Sequence, residues 1–119
     1  MYRVSKRMEI AGSHQLKLNY ESKCENLHGH NWIVTVHCKS QWLDDNGMVV
    51  DFAKVKKAIH GKLDHGNLNA IFEFNPTAEN IAKWICGEVT KLCEDSNGIC
   101  YKVEVQESEG NIAIYEEDC

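Results

Sequence analysis

The sequence predicts an α+β fold: β-β-α-α-β-β, with a four-stranded antiparallel sheet carrying two helices on one face. Three observations predict it. Two period-two runs precede two helical stripes, and two further period-two runs follow them. Successive helices between β pairs argue against alternating βαβ units. The 119-residue length suits one domain over residues 1–119, and no repeat, linker or composition shift divides it.

The first strand is read over residues 2–10. The second spans residues 30–39, with Trp32, Val34, Val36 and Cys38 on one face and Ile33, Thr35 and His37 on the other. Asp44-Asp45-Asn46-Gly47 signals a turn, and Asp51 is placed to cap the first helix. That helix carries an apolar stripe of Phe52, Val55, Ile59 and Leu63, which Gly66, Asn67 and Asn69 end. A second helix opens at Asn75-Pro76-Thr77, capped by Thr77, with a stripe of Ile81, Trp84, Ile85, Val89 and Leu92. After the Asn97-Gly98 turn, Tyr101, Val103 and Val105 alternate along a third strand. Glu109-Gly110-Asn111 then turns into a fourth, Ile112 to Glu116. The sheet face away from the helices keeps apolar side chains among Tyr101, Val103, Ile33 and Ile114, so association through sheets is expected.

Composition limits the function. The chain is 43% hydrophobic and 26% charged, which excludes disordered and collagen-like classes. A net charge of -5 argues against a broad nucleic-acid face. No apolar run approaches the ~18 residues of a membrane span, and Met1 to Ile10 has no signal-peptide core, so a cytoplasmic protein is expected. Six cysteines without a C-x-x-C pair read as free thiols, with Cys38 and Cys86 packed as small hydrophobes.

The chemistry gathers in Cys24-Glu25-Asn26-Leu27-His28-Gly29-His30. On extended backbone, His28 and His30 face the same side, and Gly29 between them has no side chain to crowd the site. If strands one and two pair as a hairpin, His14 joins them. Three imidazoles with an open fourth position make a catalytic zinc site; with Cys24 as fourth ligand, the same set makes a closed structural one. His37 and His60 are read as solvated or packed. Lys23 and a nearby dication would favour the Cys24 thiolate, a group able to move a proton at carbon. Asp64 beside His65 could orient an imidazole, or His65 could simply complement a helix end. Glu107, at the end of the third strand, could accept two hydrogen bonds from an amino-heterocycle or stay solvated.

Taken together, five motifs resemble the 6-pyruvoyl-tetrahydropterin synthase family, and within it the 6-carboxy-tetrahydropterin synthase branch. They are His14, Cys24-x3-His28-Gly29-His30, Leu63-Asp64-His65-Gly66-Asn67-Leu68-Asn69, Asn75-Pro76-Thr77-Ala78-Glu79-Asn80 and Val105-Gln106-Glu107, in the family's order over nearly the whole chain. The short Cys-x3-His gap favours the carboxy branch. Gln15 stands where the family often has a basic residue. The resemblance implies a tunnelling fold assembled as a hexamer, a dimer of trimers, with active sites between subunits. It implies zinc held by His14, His28 and His30, Cys24 as general base, and Asp64 and His65 as proton relay. Glu107 would anchor the pterin and join the relay, with Thr77 in the pocket. The implied substrate is 7,8-dihydroneopterin 3'-triphosphate, with 6-carboxy-5,6,7,8-tetrahydropterin as product on the way to queuosine and no nicotinamide or flavin required.

Overall fold

The computed structural model describes residues 1–117, except for the Cys24 side chain; Cys119 lies outside the described residues. β1 (Tyr2–His14) pairs antiparallel with β2 (His28–Ser40), β2 with β4 (Ile99–Ser108), and β4 with β5 (Asn111–Glu116). These are the four expected strands. A fifth, β3 (Gly66–Asn67), pairs parallel with β1, so the sheet is mixed, in the order β3-β1-β2-β4-β5.

α1 (Phe52–Leu63) and α3 (Ala78–Leu92) are the two expected helices, and a single turn, α2 (Leu68–Ile71), lies between them. The caps are those read from sequence: Asp51 accepts the Ala53 N–H at 2.8 Å and Thr77 accepts the Asn80 N–H at 3.1 Å. The Asn67/Asn69 segment does more than end α1. Asn67 forms β3 with Gly66 and then caps α2 by accepting the Asn69 N–H. A Cβ on Gly66 would sit 2.8 Å from Ile71 Cδ1 and 3.0 Å from the Leu63 carbonyl oxygen, so this close approach requires glycine.

One core forms between the sheet and the helices. Trp32, Val34, Val36 and Cys38 enter it from β2, Val55, Ile59 and Leu63 from α1, and Ile81, Ile85 and Val89 from α3. Phe52 does not join the stripe. It is 45% exposed at the first turn of α1, with the Lys6 ammonium 5.9 Å from its ring. Cys38, Cys86, Cys93 and Cys100 are all buried and none forms a disulfide; the Cys86 thiol donates to the Cys100 carbonyl at 3.1 Å.

The strict alternation expected in β4 fails at two points: at Tyr101, and at Glu107, which the β4–β5 register skips between Gln106 and Ser108. The β2–β4 register slips between His37 and Cys38, which face Lys102 and Cys100, so Tyr101 is the extra residue of a bulge. Cys100, Val103 and Val105 are buried while Tyr101 is half-buried. Val103 therefore belongs to the core and not to the outer face. That face carries Ile33 and, from β5, the exposed Ile112 and Ile114.

Candidate metal centre and adjoining cleft

The β1–β2 register sets His14 directly opposite His28, and Gly12 opposite His30. Because side chains alternate along a strand, His14, His28 and His30 all project from the same face. Their rings lie edge to face, with centroids 4.6 Å (His14–His28), 4.7 Å (His28–His30) and 5.2 Å (His14–His30) apart. Trp32 closes the inner side. Its ring centroid is 4.8 Å from that of His14 and 5.4 Å from that of His30, and its indole N–H donates to the Gly12 carbonyl at 3.1 Å.

Glu107 joins the cluster from β4. Its Oε1 lies 3.0 Å from His14 Nε2, 3.0 Å from His30 Nε2 and 4.0 Å from His28 Nε2. One ligand atom from each of His14, His28, His30 and Glu107 fits within 4.8 Å of the others. From sequence Glu107 stood between pairing with a heterocycle and staying solvated; in the structure its Oε1 lies among the three imidazoles.

The hydrogen bonds around the rings fix what the cluster can hold. The His14 Nδ1–H donates to the Pro76 carbonyl at 2.8 Å and the His28 Nδ1–H to the Asn26 carbonyl at 2.6 Å. A carbonyl only accepts, so in the neutral rings both Nε2 atoms are bare lone pairs, and these face each other at 3.1 Å. His30 Nε2 is buried with no hydrogen-bond partner, and Glu107 Oε1 lies 3.0 Å from it. Burial, the largest influence, pulls the His30 imidazole below its ordinary range; Glu107 opposes this, and His28 and His14 add to it. The lone-pair form is thus favoured at a site where a carboxylate also converges. Lone pairs and an anion at these distances repel unless a cation lies among them. Backbone carbonyls orienting the far nitrogens are the usual outer shell of histidine metal ligands. The donor set fits a metal ion.

A cleft of about 390 Å³ opens beside the cluster, lined by Ala11, Gly12, Ser13, Gly29, His30, Asn31, His65 and Gly66. Gly29 lines it; an added Cβ would meet only the Gly12 carbonyl oxygen, at 3.9 Å. His65 is 84% exposed, and its Nε2 lies 3.3 Å from Asp64 Oδ2. Asp64 Oδ2 is also 3.5 Å from His60 Nε2, while its Oδ1 accepts the Ala11 N–H at 2.9 Å. That amide bond holds the Asp64 carboxyl below the usual carboxylate range, burial opposing and the His60 and His65 charges adding. The Asp64–His65 pair therefore sits at the cleft rim, tied to β1.

A second hollow, about 380 Å³, lies on the other side of Glu107 and is lined by Ala78, Glu79, Glu107 and residues 110–114. Thr77 adjoins it as the α3 cap, its hydroxyl oxygen taken up by the Asn80 N–H. Cys24 belongs to a turn of 3-10 helix, Lys23–Glu25, leading into β2; the place of its thiol lies outside the described residues. Trp32, read from sequence only as core, and the Pro76 carbonyl are parts of the centre that sequence reasoning missed. The Pro76 contact has no side-chain signal.

The chain belongs to the 6-pyruvoyl tetrahydropterin synthase family, a family of lyase-type pterin synthases, whose family model matches residues 3–118. The chain is 29% identical over 123 residues to the 6-carboxy-5,6,7,8-tetrahydropterin synthase of Bacillus subtilis, covering 96% of this chain and 84% of that protein. It is 38% identical over 92 residues to the dihydroneopterin monophosphate aldolase of Pyrococcus furiosus, covering 75% of each. The solved 6-pyruvoyl tetrahydropterin synthase of Caenorhabditis elegans superposes with a TM-score of 0.76 at 27% identity, covering 98% of this chain and 96% of that one. The architecture is that of the tunnelling fold. Among the described residues no helix is long and apolar enough to cross a membrane.

Proposed function

We propose that residues 1–119 form a zinc-dependent 6-carboxy-tetrahydropterin synthase. It would convert 7,8-dihydroneopterin 3'-triphosphate to 6-carboxy-5,6,7,8-tetrahydropterin, releasing acetaldehyde and triphosphate, in the cytoplasmic route to queuosine and related 7-deazapurines. The observation that carries this reading is the convergence of three imidazole lone pairs beside a cleft that also holds His65. The Bacillus subtilis relative and the Cys24-x3-His28 spacing support the carboxy branch.

His14, His28 and His30 would hold the ion, which when bound acidifies side-chain hydroxyls of the substrate. Cys24 would move a proton at a side-chain carbon. His65, oriented by Asp64 at 3.3 Å, would deliver or remove the second proton from the rim of the cleft. Glu107 borders both the cluster and the second hollow. Released from the imidazoles, its carboxylate would accept two N–H bonds from the pterin edge, with Thr77 beside it. The working form would be a homo-oligomer, a hexamer built as a dimer of trimers, which covers the outer sheet face.

The deciding experiment incubates the purified protein with 7,8-dihydroneopterin 3'-triphosphate and measures acetaldehyde and triphosphate. Release of both supports the carboxy reaction. Triphosphate without acetaldehyde points to the 6-pyruvoyl reaction, and turnover of dihydroneopterin monophosphate alone points to an aldolase. A zinc–sulfur bond near ~2.3 Å in X-ray absorption would close the shell with Cys24 and make the centre a non-catalytic zinc module.

A further inference from the structure

Past His14 the chain leaves the sheet, and residues 15–27 run from one histidine of the cluster to the next. Their one regular element is the short turn Lys23–Glu25. Two asparagines hold the start of this run. Asn69 Oδ1 accepts the Gln15 N–H at 2.6 Å, and Asn69 Nδ2 donates to the Gln15 carbonyl at 2.7 Å. Asn75 does the same for Lys17, at 2.9 and 3.0 Å. A carboxamide carries one acceptor and one donor group side by side, as a peptide group does. Each side chain therefore copies the pair of bonds that a neighbouring strand would make. The copies follow in register from β3, in which Asn67 stands opposite Ser13; Asn69 then reaches Gln15, and Asn75 reaches Lys17.

Asn75 is tied to the centre a second way. The carbonyl of the next residue, Pro76, accepts the His14 Nδ1–H. The Asn75 carbonyl itself accepts from the Thr77 N–H at 2.8 Å and from Asn80 Nδ2 at 3.0 Å, so this corner is fastened to the start of α3. One corner of the fold thus holds both the His14 ring and the Lys17 backbone. These amide bonds lie at the surface and add little to global stability. What they fix is the direction in which the chain sets out from His14.

We propose that Asn69 and Asn75 are positioning residues that stand in for an absent strand and set the course of the chain between His14 and Cys24. The proposal deepens the reading above, in which the metal cluster and Cys24 act on one substrate. Without the clamp, a long irregular run would sample many paths, and the residue it delivers would spend little time where the reaction needs it.

The test takes the full-length protein as purified with its metal, together with Asn69→Ala and Asn75→Ala. Residue-resolved hydrogen exchange should show the Gln15 amide at least tenfold faster in Asn69→Ala and the Lys17 amide at least tenfold faster in Asn75→Ala, with Val34 unchanged. Asn69→Asp keeps the acceptor but sets an oxygen against the Gln15 carbonyl, and should reproduce the local exchange. With 7,8-dihydroneopterin 3'-triphosphate, kcat should fall at least tenfold while KM stays within threefold. Unchanged exchange, or faster exchange with wild-type kcat, overturns the proposal. A wild type that fails to turn over the pterin removes the proposed function instead; local exchange at Gln15 and Lys17 then decides the clamp alone.

Discussion

The His14 Nδ1–H donates to the Pro76 carbonyl oxygen, 2.8 Å away, and this one bond decides which nitrogen of His14 carries a lone pair. His28 is oriented in the same way by the Asn26 carbonyl. If the two Nε2 atoms grip an ion, removing one ring leaves an incomplete shell. His28→Ala is expected to lower metal affinity by more than the ~10–100-fold typical of outer-shell changes. Competition against a chromophoric chelator measures it. A variant with wild-type affinity would contradict the ligand assignment.

Cys24→Ala separates the two readings of that thiol. As a proton carrier it is dispensable for metal binding, so the variant should keep its metal while turnover drops by about 10²–10⁴. Metal content by mass spectrometry and product formation are read on the same sample. Loss of metal would make Cys24 a ligand, and retained turnover would remove it from the reaction.

Asp64 gives the fold a pH dependence of predictable sign. The Ala11 N–H lowers its folded-state pKa below the unfolded value near ~3.9. The stabilisation is therefore present above that unfolded value and lost as pH falls through the lower folded one. Asp64→Asn keeps an oxygen for the Ala11 N–H but removes the titration. Thermal melts between pH 2 and 6 should show a steeper acid limb in the wild type than in the variant. Superimposable limbs would count against the bond's role.

The cluster was legible in the sequence because register and alternation determine it. Once β1 and β2 pair as a hairpin, His14, His28 and His30 can only face one side. The Glu107 contact was not legible, because it depends on two irregularities of β4 that no period shows: the bulge at Tyr101 against β2 and the register shift against β5 in which Glu107 itself is skipped. The strand β3 was missed because two residues have no period to detect, and its glycine reads as a breaker. Asn69 and Asn75 were visible as motif members, yet bonds from a side chain to a distant backbone leave no spacing rule. What periodicity fixes was read correctly in α3, down to the Thr77 cap; Phe52, at the first turn of α1, lies over β1 beside Lys6 yet stays 45% exposed, which its spacing in the stripe does not show.

His65 holds a left-handed backbone, φ 59°, while its side chain is 84% exposed. Such a conformation costs a non-glycine residue ~1–2 kcal/mol, and an exposed ring offers little packing in return. His65→Gly removes that strain but adds unfolded-state freedom worth ~0.4–1 kcal/mol, so stability should change by under ~1 kcal/mol. Turnover should still fall about 10²–10⁴, since the proposed proton carrier is gone. Chemical denaturation and steady-state kinetics on one preparation check both halves. A loss above ~2 kcal/mol would instead make His65 a structural residue.

β5 is an edge strand, and its isoleucines face outward: Ile112 is 55% exposed and Ile114 52%. An edge offers unpaired backbone groups, and apolar side chains on its open face add area that favours pairing with another chain. Ile33 on β2 and Arg7 on β1 border the same face next to Ile112, so a partner laid there would contact several strands at once. If copies of this chain associate through that face, a charge at its margin should oppose them, because an ammonium buried against apolar surface loses its hydration without gaining a partner. Ile114→Lys leaves the core untouched, since Ile114 is half in solvent within the chain. The variant should therefore keep its far-ultraviolet spectrum and melt cooperatively. In light scattering coupled to size exclusion its mass should shift toward the 13.6 kDa of one chain, while the wild type runs as an oligomer. An unshifted oligomer in a folded variant would place the assembly contacts on another surface. A monomeric wild type would show that this face stays bare.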